Sequence, residues 1–503
     1  MQVNRLQRWL TPFKATAAGQ SLCALEKLPE ISNTAELQYN SKQLKSGDIF
    51  LALPGVGGHG NRFIRQALSQ GAAFVLTDSL ASADAQLALE PQVCVWPDLP
   101  DVLPALVSSF YQDAAKRQEL IGITGTNGKS STAIFVNQLS DLLGKPAGVI
   151  GTLGYGSYRN LTPLQNTTPH LADLHRIFYR ACEQGQLRTA MEVSSHALVQ
   201  QRVAGLQFKV AVFTNLSRDH LDYHGTMEAY GAAKALLFSP ELCQTAVINV
   251  SDEFGQTLAA QCTVPLLVYG RRADCAGYAH YLAYDHLRSD GKGFSLRLHS
   301  HLGDFDLQIP LLAEFNVQNV LAAVGALVQC GHKLSAIVDA VKKLKAVAGR
   351  MELWHFPQDV AVVVDYAHTP DALKQSLQAL RQQSRGRIWC VFGCGGDRDK
   401  GKRPLMGQIA EQHADHVIIT ADNPRTEAVL DICKDIAAGM QTGANCQIEP
   451  DRESAIKLAL IEAHAHDMIL VAGKGHETYQ VLGNTVRDYD ERKFINDLLA
   501  EMS

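Results

Sequence analysis

The sequence lacks the long apolar runs and the paired cysteines that mark membrane proteins and disulfide-rich or zinc-binding proteins. No stretch reaches the roughly 20 apolar residues of a membrane-spanning helix, and the N-terminal stretch has no apolar core of the signal-peptide kind. The eleven cysteines are scattered and no CxxC pair occurs. Reduced thiols fit this pattern better than disulfides or structural zinc, so we expect a cytoplasmic protein without membrane insertion.

An excess of positive charge is also missing. The chain carries 46 Lys and Arg against 51 Asp and Glu, a net charge of −5. Nucleic-acid-binding surfaces are usually basic, and no patch of interleaved aromatic and basic residues occurs. We therefore expect small-molecule substrates and no nucleic acid. The composition, with 46% hydrophobic residues, is that of a globular protein, and 503 residues suffice for about three domains.

Three successive blocks of the chain differ in pattern, and each predicts an α/β domain. Residues 1–100 hold short strand-like runs around a glycine-rich loop, "PGVGGHGNRF", and predict a small N-terminal α/β domain. In residues 101–347 apolar runs alternate with helical segments, which predicts a central P-loop-type ATPase domain with a mainly parallel sheet, ending in a hairpin at 294–310 and a helix. The alternation restarts in residues 348–503, which predict a C-terminal Rossmann-like domain.

"ITGTNGKSST", residues 123–132, follows a predicted strand and opens a predicted helix. This is the context of a phosphate-binding loop, in which backbone N–H groups and the helix N-terminus cradle phosphates. Lys129 would reach the terminal phosphates and Ser130 would ligate Mg²⁺. The strict pattern GxxxxGK[ST] is not met, because Ile123 stands where the first glycine belongs. The loop predicts nucleotide binding but not the use of the nucleotide.

Two charged residues allow alternative interpretations. Glu192 ends a predicted strand and is either a Mg²⁺ ligand or a carboxylate that faces water. Lys234 lies in the apolar stretch "AAKALLF" and is either a surface lysine or a lysine whose pKa is lowered for chemistry. The sequence leaves both pairs open.

"ITADNPRTE", residues 419–427, raises a similar choice. The turn follows a predicted strand, at the sheet edge where open α/β proteins bind ligands. It is either a capped turn before a helix or a clamp in which the Arg425 guanidinium pairs with a ligand carboxylate.

Taken together, the motifs resemble those of the Mur ligases, the ATP-dependent amide-forming enzymes of peptidoglycan precursor synthesis. The resemblance covers nearly the whole chain and rests on "GTNGKSS", "MEVSSHAL", "TNLSRDHLDYHG", "AAKALLF", "EFNVQNVLAA", "GRMELW", "VVDYAHTPDAL", "GCGGDRDKGKRP", "DNPR" and "GKGHE". "GTNGK" alone would also fit folylpolyglutamate synthases. "DNPR" with "GKGHE" is narrower and resembles the MurE branch, which adds meso-diaminopimelate to UDP-N-acetylmuramoyl-L-alanyl-D-glutamate through an acyl phosphate.

The resemblance implies four groups of site residues, with Lys129, Glu192, His220 and Lys234 as the catalytic ones. ATP would be held by Gly125, Thr126, Asn127, Gly128, Lys129, Ser130, Ser131, Asn316, Arg350, Asp365 and His368. Two Mg²⁺ ions would be held by Ser130, Glu192, His220 and a carbamoylated Lys234. The UDP-muramoyl dipeptide would be held by Ser41, Asn166, Thr167, Thr168, Ser194, Gln200 and Arg202. Diaminopimelate would be held by Arg398, Asp422, Asn423, Pro424, Arg425, Gly473 and Glu477.

The resemblance also implies UDP binding for residues 1–100, ATP binding for 101–347 and amino-acid binding for 348–503. We expect a cytoplasmic monomer that serves cell-wall biogenesis and, through it, cell shape and division. Two departures from the family pattern stand out. Asn40, Ser41 and Lys42 replace the usual "DSR", and Ala313 replaces a frequent glycine.

A nucleic-acid-dependent ATPase is opposed by the net charge and by the lack of an interleaved aromatic–basic patch, and three further rival functions remain. The first is a ligase of the same superfamily that adds L-lysine, which Arg425 opposes because lysine lacks the second carboxylate. The second is a ligase that acts on folate, which the whole-chain order of motifs opposes. The third is a regulatory protein that has kept only an ATP-binding fold; loss of Lys129, Glu192 or Lys234 would favour it, and all three are present.

Overall fold

The structure, a computed structural model, describes residues 5–13, 30–55, 58–289, 293–442 and 445–502. Val56 and Gly57 of the predicted glycine-rich loop lie outside the described residues. The chain forms two compact units. The first unit comprises residues 1–120, 146–189 and 193–209, and the second comprises residues 121–145, 190–192 and 210–503.

The N-terminal part of the first unit is a small α/β structure with a four-stranded parallel sheet of order β1-β2-β5-β6. Its core includes the buried side chains of Trp9, Trp96 and Phe110. The elements are α1 (Arg5–Leu10), β1 (Leu37–Gln38), β2 (Ile49–Ala52), β3 (Pro54–Gly55), β4 (Gly58–His59), α2 (Ile64–Ser69), β5 (Phe74–Thr77), β6 (Val93–Val95) and α3 (Leu99–Phe110). The strands predicted around the glycine-rich loop are confirmed as β2 and β5.

The middle of the chain alternates strands and helices, as predicted. The elements are β7 (Glu119–Thr124), α4 (Lys129–Leu142), β8 (Gly148–Gly151), β9 (Gly154–Ser157), β10 (Asn160–Thr162), α5 (Leu171–Glu183), β11 (Arg188–Glu192), α6 (Ser195–Val199), β12 (Phe208–Phe213), α7 (Leu221–His224), α8 (Met227–Ala235), β13 (Cys243–Asn249), α9 (Glu253–Gln261), β14 (Leu266–Arg271), β15 (Tyr281–Ser289), β16 (Phe294–Ser300), β17 (Phe305–Ile309), α10 (Phe315–Gln329) and α11 (Leu334–Val341). Strands β7, β11 and β12 have residues in both units.

Within the second unit, the strands of this region follow the order β7-β12-β13-β14-β15-β16-β17. The pairs β7–β12, β13–β14 and β14–β15 are parallel, and β16–β17 forms the predicted antiparallel hairpin. Helix α10 packs on β13 and β14. A Cβ at Gly325 would lie 2.8 Å from Val247 Cγ1, so this glycine allows the close approach of helix and sheet.

The C-terminal part of the second unit is a six-stranded sheet covered by helices on both faces. Its elements are β18 (Glu352–Phe356), β19 (Val360–Asp365), α12 (Pro370–Arg381), β20 (Ile388–Phe392), α13 (Lys402–His413), β21 (His416–Ile419), α14 (Val429–Ala437), β22 (Cys446–Ile448), α15 (Arg452–Glu462), β23 (Met468–Ala472), β24 (Tyr479–Leu482), β25 (Thr485–Asp488) and α16 (Glu491–Met502). The strand order is β18-β19-β23-β20-β21-β22, and only β18 is antiparallel to its neighbour.

Successive side chains along these strands enter different cores, because side chains alternate across a strand. One core, with α12, α13 and α14, contains Val363, Cys390 and Ile419. The other, with α15 and α16, contains Val362, Val391 and Ile418. Both faces of each strand are thus apolar, which explains the continuous runs of apolar residues in the sequence.

The predicted α/β fold class is confirmed, including the mainly parallel central sheet. The boundaries 1–100, 101–347 and 348–503 remain a prediction, because the two compact units divide the chain differently. Within the described ranges no helix is long and apolar enough to cross a membrane. Ten of the eleven cysteines lie in these ranges, and all ten are free thiols.

A buried ion pair ties two strands of the C-terminal sheet together. Arg452 and Glu491 are almost completely excluded from solvent and are hydrogen-bonded to each other. The Arg452 guanidinium also donates to Ala421 O (3.2 Å) and Ala472 O (2.8 Å), just beyond β21 and at the end of β23. One buried cation therefore holds the chain at the points where the "DNPR" and "GKGHE" loops begin.

Arg452→Met should destabilise the protein by about 3–5 kcal/mol, because the Glu491 carboxylate would stay buried without its partner. The free energy of unfolding is measured by urea titration followed by circular dichroism. Arg381→Met is the matched control, since Arg381 forms an exposed ion pair with Asp415, and it should cost at most about 1 kcal/mol. Equal small losses in both variants would contradict the prediction.

Candidate functional site

Residues 125–131 form a loop that opens directly into helix α4. Gly125 and Gly128 have φ angles of +146° and +85°, conformations that only glycine adopts readily. A Cβ at Gly125 would lie 1.9 Å from Thr214 Oγ1, and one at Gly128 would lie 2.2 Å from Asn319 Oδ1. The glycines therefore meet both a conformational and a spatial requirement, and the predicted strand–loop–helix context is confirmed.

The segment that follows β12 holds this loop in shape. Thr126 N donates to Asn215 O (2.8 Å) and Asn127 N donates to Asn215 Oδ1 (2.9 Å). Thr214 Oγ1 donates in turn to Asn127 O (2.6 Å). The loop is fixed by its neighbour before any ligand arrives, which is the preorganisation that a phosphate site needs.

Lys129 and Lys234 meet at the backbone of the loop. Lys129 Nζ donates to Gly125 O (2.9 Å) and Thr126 O (2.8 Å). Lys234 Nζ donates to the same Gly125 O (2.8 Å) and lies 4.3 Å from the Tyr230 ring centroid. Lys234 is only 1% exposed, so its interpretation as a surface lysine is wrong.

Burial lowers the pKa of both lysines. The pKa of Lys129 is reduced by burial, against the opposing charges of Glu192 and Asp219. The pKa of Lys234 falls well below its usual value, first through burial and then through the neighbouring Lys129 charge. A lysine with a depressed pKa carries more neutral amine near pH 7, and neutral amines are nucleophiles.

Glu192 is buried beside the start of helix α4. Ser130 Oγ donates to Glu192 Oε1 (2.8 Å), and Arg350 Nη2 donates to Ser130 Oγ (3.3 Å). The alternative in which Glu192 faces water is therefore wrong. A carboxylate and a hydroxyl oxygen together supply the hard oxygen donors that Mg²⁺ prefers.

His220 lies at the start of helix α7 in a left-handed conformation, with φ at +54°. Its Nε2 is 3.5 Å from Asp219 Oδ2. Burial lowers the pKa of His220, and the nearby Lys129 and Lys234 charges lower it further while Asp219 opposes them. His220 thus belongs to the same electrostatic neighbourhood as the two lysines.

A cavity of about 460 Å³ extends from this loop and is lined by residues of the second unit only. Six predicted ATP residues line it: Asn127, Gly128, Ser131, Arg350, Asp365 and His368. Arg350 lies 4.3 Å from the Tyr366 ring centroid, and within the described chain its buried Nε has no hydrogen-bond partner. An unsatisfied buried donor in a cavity wall is a natural point of contact for an anion.

Asn316 supports the cavity from helix α10, whereas Asn319 lines it directly. Asn319 Nδ2 donates to Asn316 Oδ1 (3.1 Å), and Asn316 Nδ2 donates to Leu312 O (2.8 Å). Our sequence interpretation missed Asn319, although the three-residue spacing from Asn316 places both on one helix face. Ala313, where the family often has glycine, has a φ of +69°, a conformation that explains the family preference.

Asp365 and His368 lie at and beyond the carboxyl end of β19. Asp365 accepts hydrogen bonds from Met351 N (2.9 Å) and Ser376 Oγ (3.0 Å), and burial raises its pKa. His368 Nδ1 is 2.8 Å from Tyr366 O, and burial together with the Lys402 charge lowers its pKa. Both residues line the cavity, and their role in ATP binding stays a prediction.

Four residues predicted for the UDP-muramoyl dipeptide form one hydrogen-bonded cluster in the first unit. Ser194 N donates to Thr168 Oγ1 (3.0 Å), and Arg202 Nη1 donates to Thr168 O (2.8 Å). Gln200 Oε1 accepts from Arg202 Nε (3.0 Å) and Nη2 (2.6 Å). The cluster brings together residues 34 positions apart in the sequence.

The three other residues predicted for the dipeptide, Ser41, Asn166 and Thr167, lie outside this hydrogen-bonded cluster. Thr167 Oγ1 is 3.0 Å from Thr152 Oγ1, and Asn166 is exposed. Ser41 is buried, and its Oγ donates to Gln66 Oε1 (3.3 Å). Asn40 accepts from Lys42 N (3.0 Å) and so caps the short helix Ser41–Gln43. Asparagine and aspartate cap helices about equally well, which explains locally why "NSK" can replace "DSR".

The "DNPR" turn is held by strand β24 rather than by helix capping. Helix α14 begins after Ala428, which makes no side-chain cap, so the capped-turn interpretation is wrong. Arg425 N donates to Val481 O (3.1 Å), and Gly483 N donates to Arg425 O (2.6 Å). These bonds hold Arg425 in a left-handed conformation with φ at +52°. Its Nη1 donates to Gly396 O (2.7 Å).

Lys474, which our sequence interpretation missed, lies at the centre of the neighbouring loop. Its Nζ donates to Asn423 Oδ1 (3.2 Å) and Glu477 Oε2 (3.0 Å). Asn423 Nδ2 donates to the same Glu477 oxygen (2.9 Å). The sequence offers one indication that Lys474 is important, its position between two glycines at the end of an apolar strand.

The other residues predicted for diaminopimelate surround this network to different degrees. Asp422 is buried, and its backbone O accepts from Gln480 Nε2 (2.8 Å). Gly473 has a φ of +111°, and a Cβ there would lie 2.6 Å from Asp422 Oδ2. Pro424, a residue of the turn itself, is buried, whereas Arg398 is exposed on the loop after β20.

Comparison with known protein families identifies three successive matches. The model described as "Mur ligase family, catalytic domain" matches residues 34–111. "Mur ligase middle domain" matches residues 123–327, and "Mur ligase, glutamate ligase domain" matches residues 349–475.

Full-length relatives are similar over almost the entire chain. A protein of Haemophilus influenzae (strain PittGG) is 40% identical over 95% of this chain and 100% of its own length. One of Vibrio vulnificus (strain YJ016) is 43% identical over 94% of this chain and 96% of its own. Both are named UDP-N-acetylmuramoyl-L-alanyl-D-glutamate--2,6-diaminopimelate ligase.

Solved structures agree. One, described as the structure of a ligase with that same name, has a TM-score of 0.64 and 36% identity, covering 93% of this chain and 94% of its own. MurF from Acinetobacter baumannii has a TM-score of 0.66 over 96% of this chain and 98% of its own. At 17% identity, the second likeness concerns the fold alone.

Gly128→Ala should weaken ATP binding by roughly tenfold or more, because a Cβ would push Asn319 and distort the left-handed turn at the head of α4. Calorimetric titration with ATP measures the effect. Gly144→Ala is the matched control. Gly144 follows the same helix with φ at +73°, but its Cβ would meet open space, so that variant should lose at most about 1 kcal/mol of stability and keep its ATP affinity. Equal ATP affinities in the two variants would refute the prediction.

Proposed function

The chain belongs to the Mur ligase family, and on that premise we propose that it joins meso-diaminopimelate to UDP-N-acetylmuramoyl-L-alanyl-D-glutamate with consumption of ATP. The observation that carries this proposal is the 40–43% identity, over nearly the full length, to ligases of that name. The chemical argument rests on two loops of the second unit, one around Lys129 and one around Arg425.

We propose that ATP binds in the cavity beside the phosphate loop. The N-terminus of α4, the loop N–H groups and Lys129 supply positive potential for phosphates, and Arg350 presents an unsatisfied buried donor. The predicted residues Gly125 to Ser131, Asn316, Arg350, Asp365 and His368 keep their proposed role in ATP binding. Asn319 joins them because it lines the cavity.

The residues present also fit Mg²⁺. Ser130 and Glu192 offer adjacent oxygen donors, yet no three His, Cys, Asp or Glu residues in the described part of the chain are grouped to hold a metal alone. That combination suits Mg²⁺, which keeps waters and is bound by one or two carboxylates together with substrate phosphates. We propose two ions, one held by Ser130 and Glu192 and one by His220 and a carbamoylated Lys234. When bound, they would neutralise charge between phosphate and carboxylate.

The reaction needs activation, because a carboxylate does not react with an amine unaided at neutral pH. A carboxylate oxygen of the dipeptide attacks the γ-phosphorus of ATP, the bond to ADP breaks, and an acyl phosphate forms. The neutral amine of the amino acid then attacks the acyl carbon, and phosphate leaves as the amine loses a proton. Lys129 would stabilise negative charge on the transferred phosphoryl group.

Carbamoylation of Lys234 would remove an electrostatic conflict at the loop. The neutral amine attacks CO₂, a nitrogen–carbon bond forms, and one proton leaves to solvent. A cation that is repelled by Lys129 thereby becomes an anion that is attracted to it. The depressed pKa of Lys234 favours this step, since only the neutral amine reacts.

Diaminopimelate has two ammonium groups and two carboxylates, and the second unit offers partners for both kinds. In the described chain the Arg425 hydrogen bonds use Nη1 alone, which leaves Nε and Nη2 to pair with a carboxylate. Glu477 would accept an ammonium. Arg398, Asp422, Asn423, Pro424 and Gly473 complete the proposed site. L-Lysine lacks the second carboxylate and would leave the guanidinium without a partner.

The dipeptide would bind in the first unit, through Ser41, Asn166, Thr167 and the cluster around Thr168, Ser194, Gln200 and Arg202. We propose UDP binding by residues 1–100, ATP binding by 101–347 and amino-acid binding by 348–503. We also propose that the protein is a monomer in the cytoplasm, where ATP and nucleotide precursors are made. Light scattering and cell fractionation test these last two points.

Phosphate release tests the function. Purified protein with ATP, Mg²⁺ and UDP-N-acetylmuramoyl-L-alanyl-D-glutamate should release phosphate when meso-diaminopimelate is added, and should form the tripeptide product. It should release little with L-lysine and with no amino acid. Phosphate release with L-lysine instead of diaminopimelate would be consistent with a ligase but would refute the Arg425 clamp. Release independent of the dipeptide would refute the ligase.

The same assay with Arg425→Met isolates the clamp. The KM for diaminopimelate should rise roughly tenfold to a hundredfold, the scale of a lost charged hydrogen bond, while the KM for ATP stays unchanged. Arg487→Met on β25 is the matched control, because Arg487 forms an exposed ion pair with Glu453. An equal response of the two variants would contradict the role of Arg425.

Lys234→Met should lower phosphate release by roughly a hundredfold or more, the scale seen when one electrostatic contact to a transition state is lost. Carbon-13 NMR of the protein in labelled bicarbonate should show a carbamate signal that this variant lacks. The exposed Lys342→Met is the control, and it should keep both signal and activity. A wild-type spectrum without the signal would end the carbamoylation hypothesis.

A further inference from the structure

Lys474 is a buried cation to which neither the proposed ATP site nor the proposed Arg425 clamp assigns a role. It lies two residues beyond β23, and its side chain is 0% exposed. Its Nζ is 3.0 Å from Glu477 Oε2 and 3.2 Å from Asn423 Oδ1, and 5.6 Å from the Tyr479 ring centroid. Burying an ammonium is costly unless it is paired and hydrogen-bonded, and here it is both.

Because its side chain is fully enclosed, Lys474 cannot meet a substrate directly. Within the described ranges, the polar contacts of its Nζ go to Asn423 of the "DNPR" loop and Glu477 of the "GKGHE" loop. Any influence on the amino acid must therefore pass through Glu477 or Asn423.

The two carboxylate oxygens of Glu477 have different surroundings. Oε2 accepts hydrogen bonds from both Lys474 Nζ and Asn423 Nδ2 (2.9 Å). Among the described residues, Oε1 has only a long contact, 3.5 Å, to the hydroxyl of Tyr366, which lines the cavity beside the phosphate loop. Oε2 is thus held by two hydrogen bonds, whereas Oε1 lies beside a residue of the cavity wall.

We infer that Lys474 is a positioning residue for the amino-acid substrate: it locks Oε2 of Glu477 so that Oε1 is presented to a substrate ammonium at the edge of the nucleotide cavity. The inference rests on the proposed function and deepens it. A carboxylate held at one oxygen loses less conformational freedom when it binds an ammonium at the other, and such preorganisation improves binding.

The same contact also fixes Asn423 and, through it, strand β24. Asn423 Oδ1 accepts from Val481 N (2.9 Å) as well as from Lys474. Val481 O in turn accepts from Arg425 N (3.1 Å). Lys474 therefore connects two proposed contacts of the substrate. It holds Glu477, the proposed partner of a substrate ammonium, and it supports the backbone that orients Arg425, the proposed partner of a substrate carboxylate.

Steady-state kinetics of Lys474→Met test this role. The KM for meso-diaminopimelate should rise roughly tenfold or more, with the KM values for ATP and for the dipeptide unchanged and kcat little altered. Those two unchanged KM values, together with the melting temperature, show in the same preparation that the variant is folded. Lys434→Met on the surface of α14 is the matched control and should leave every constant unchanged.

A double-substitution cycle separates positioning from general support of the fold. Since Lys474 acts through Glu477, Lys474→Met in a Glu477→Gln background should add almost nothing to the KM of the single Glu477→Gln variant. Lys474→Arg keeps a buried cation and should recover part of the affinity if the variant folds. Additive effects in the cycle, or a uniform loss of activity with all three KM values unchanged, would overturn the inference.

The same assays with the wild-type protein test the proposed substrate independently of the role of Lys474. If the wild-type protein used L-lysine in place of diaminopimelate, the proposed substrate would fail. The cycle would then be run with lysine, whose ammonium groups place the same demand on Glu477, so the two failures are distinguishable.

Discussion

Two lysine side chains converge on one carbonyl oxygen, and much of the proposed chemistry follows from that contact. Lys129 and Lys234 both donate to Gly125 O, at 2.9 and 2.8 Å. Burial lowers the pKa of Lys234 well below its usual value, and the nearby Lys129 charge lowers it further, because two ammonium groups so close together disfavour each other's charge. An anion at the loop relieves the conflict. In the proposed function, nucleotide phosphates would supply one such anion, and a carbamate on Lys234 would supply another.

Buried cations perform a different task at the C-terminal sheet. Parallel strands end in carbonyl groups that no longer have a partner in the ladder, and these ends carry the ligand-binding loops. Arg452 donates to Ala421 O and Ala472 O, and Arg403 donates to Gly395 O (3.2 Å). Each arginine also has a carboxylate partner, Glu491 or Glu427. Each loop is therefore held at its backbone by a buried arginine whose charge is paired.

The sequence predicted strands well because both faces of these sheets are buried, so that runs such as "VAVVVD" are apolar throughout. It predicted the phosphate loop because the geometry requires glycine at two fixed positions. It did not predict that Glu192 and Lys234 are buried, since burial depends on neighbours from distant segments. The hairpin β24–β25 was missed because its strands are largely exposed, although Gly483-Asn484 is a recognised turn dipeptide.

Several non-glycine residues with a positive φ angle lie in or beside the proposed binding loops. His220, Ala313, Met351, Asp397 and Arg425 are non-glycine residues with positive φ, and each belongs to or adjoins a proposed binding loop. Such conformations cost about 1–3 kcal/mol each and persist only where the surroundings impose them. At Arg425 strand β24 imposes the conformation, and at Met351 the Asp365 carboxylate accepts its N–H. In the proposed clamp, the Arg425 guanidinium held by this backbone would pair with the second carboxylate of diaminopimelate, which L-lysine lacks.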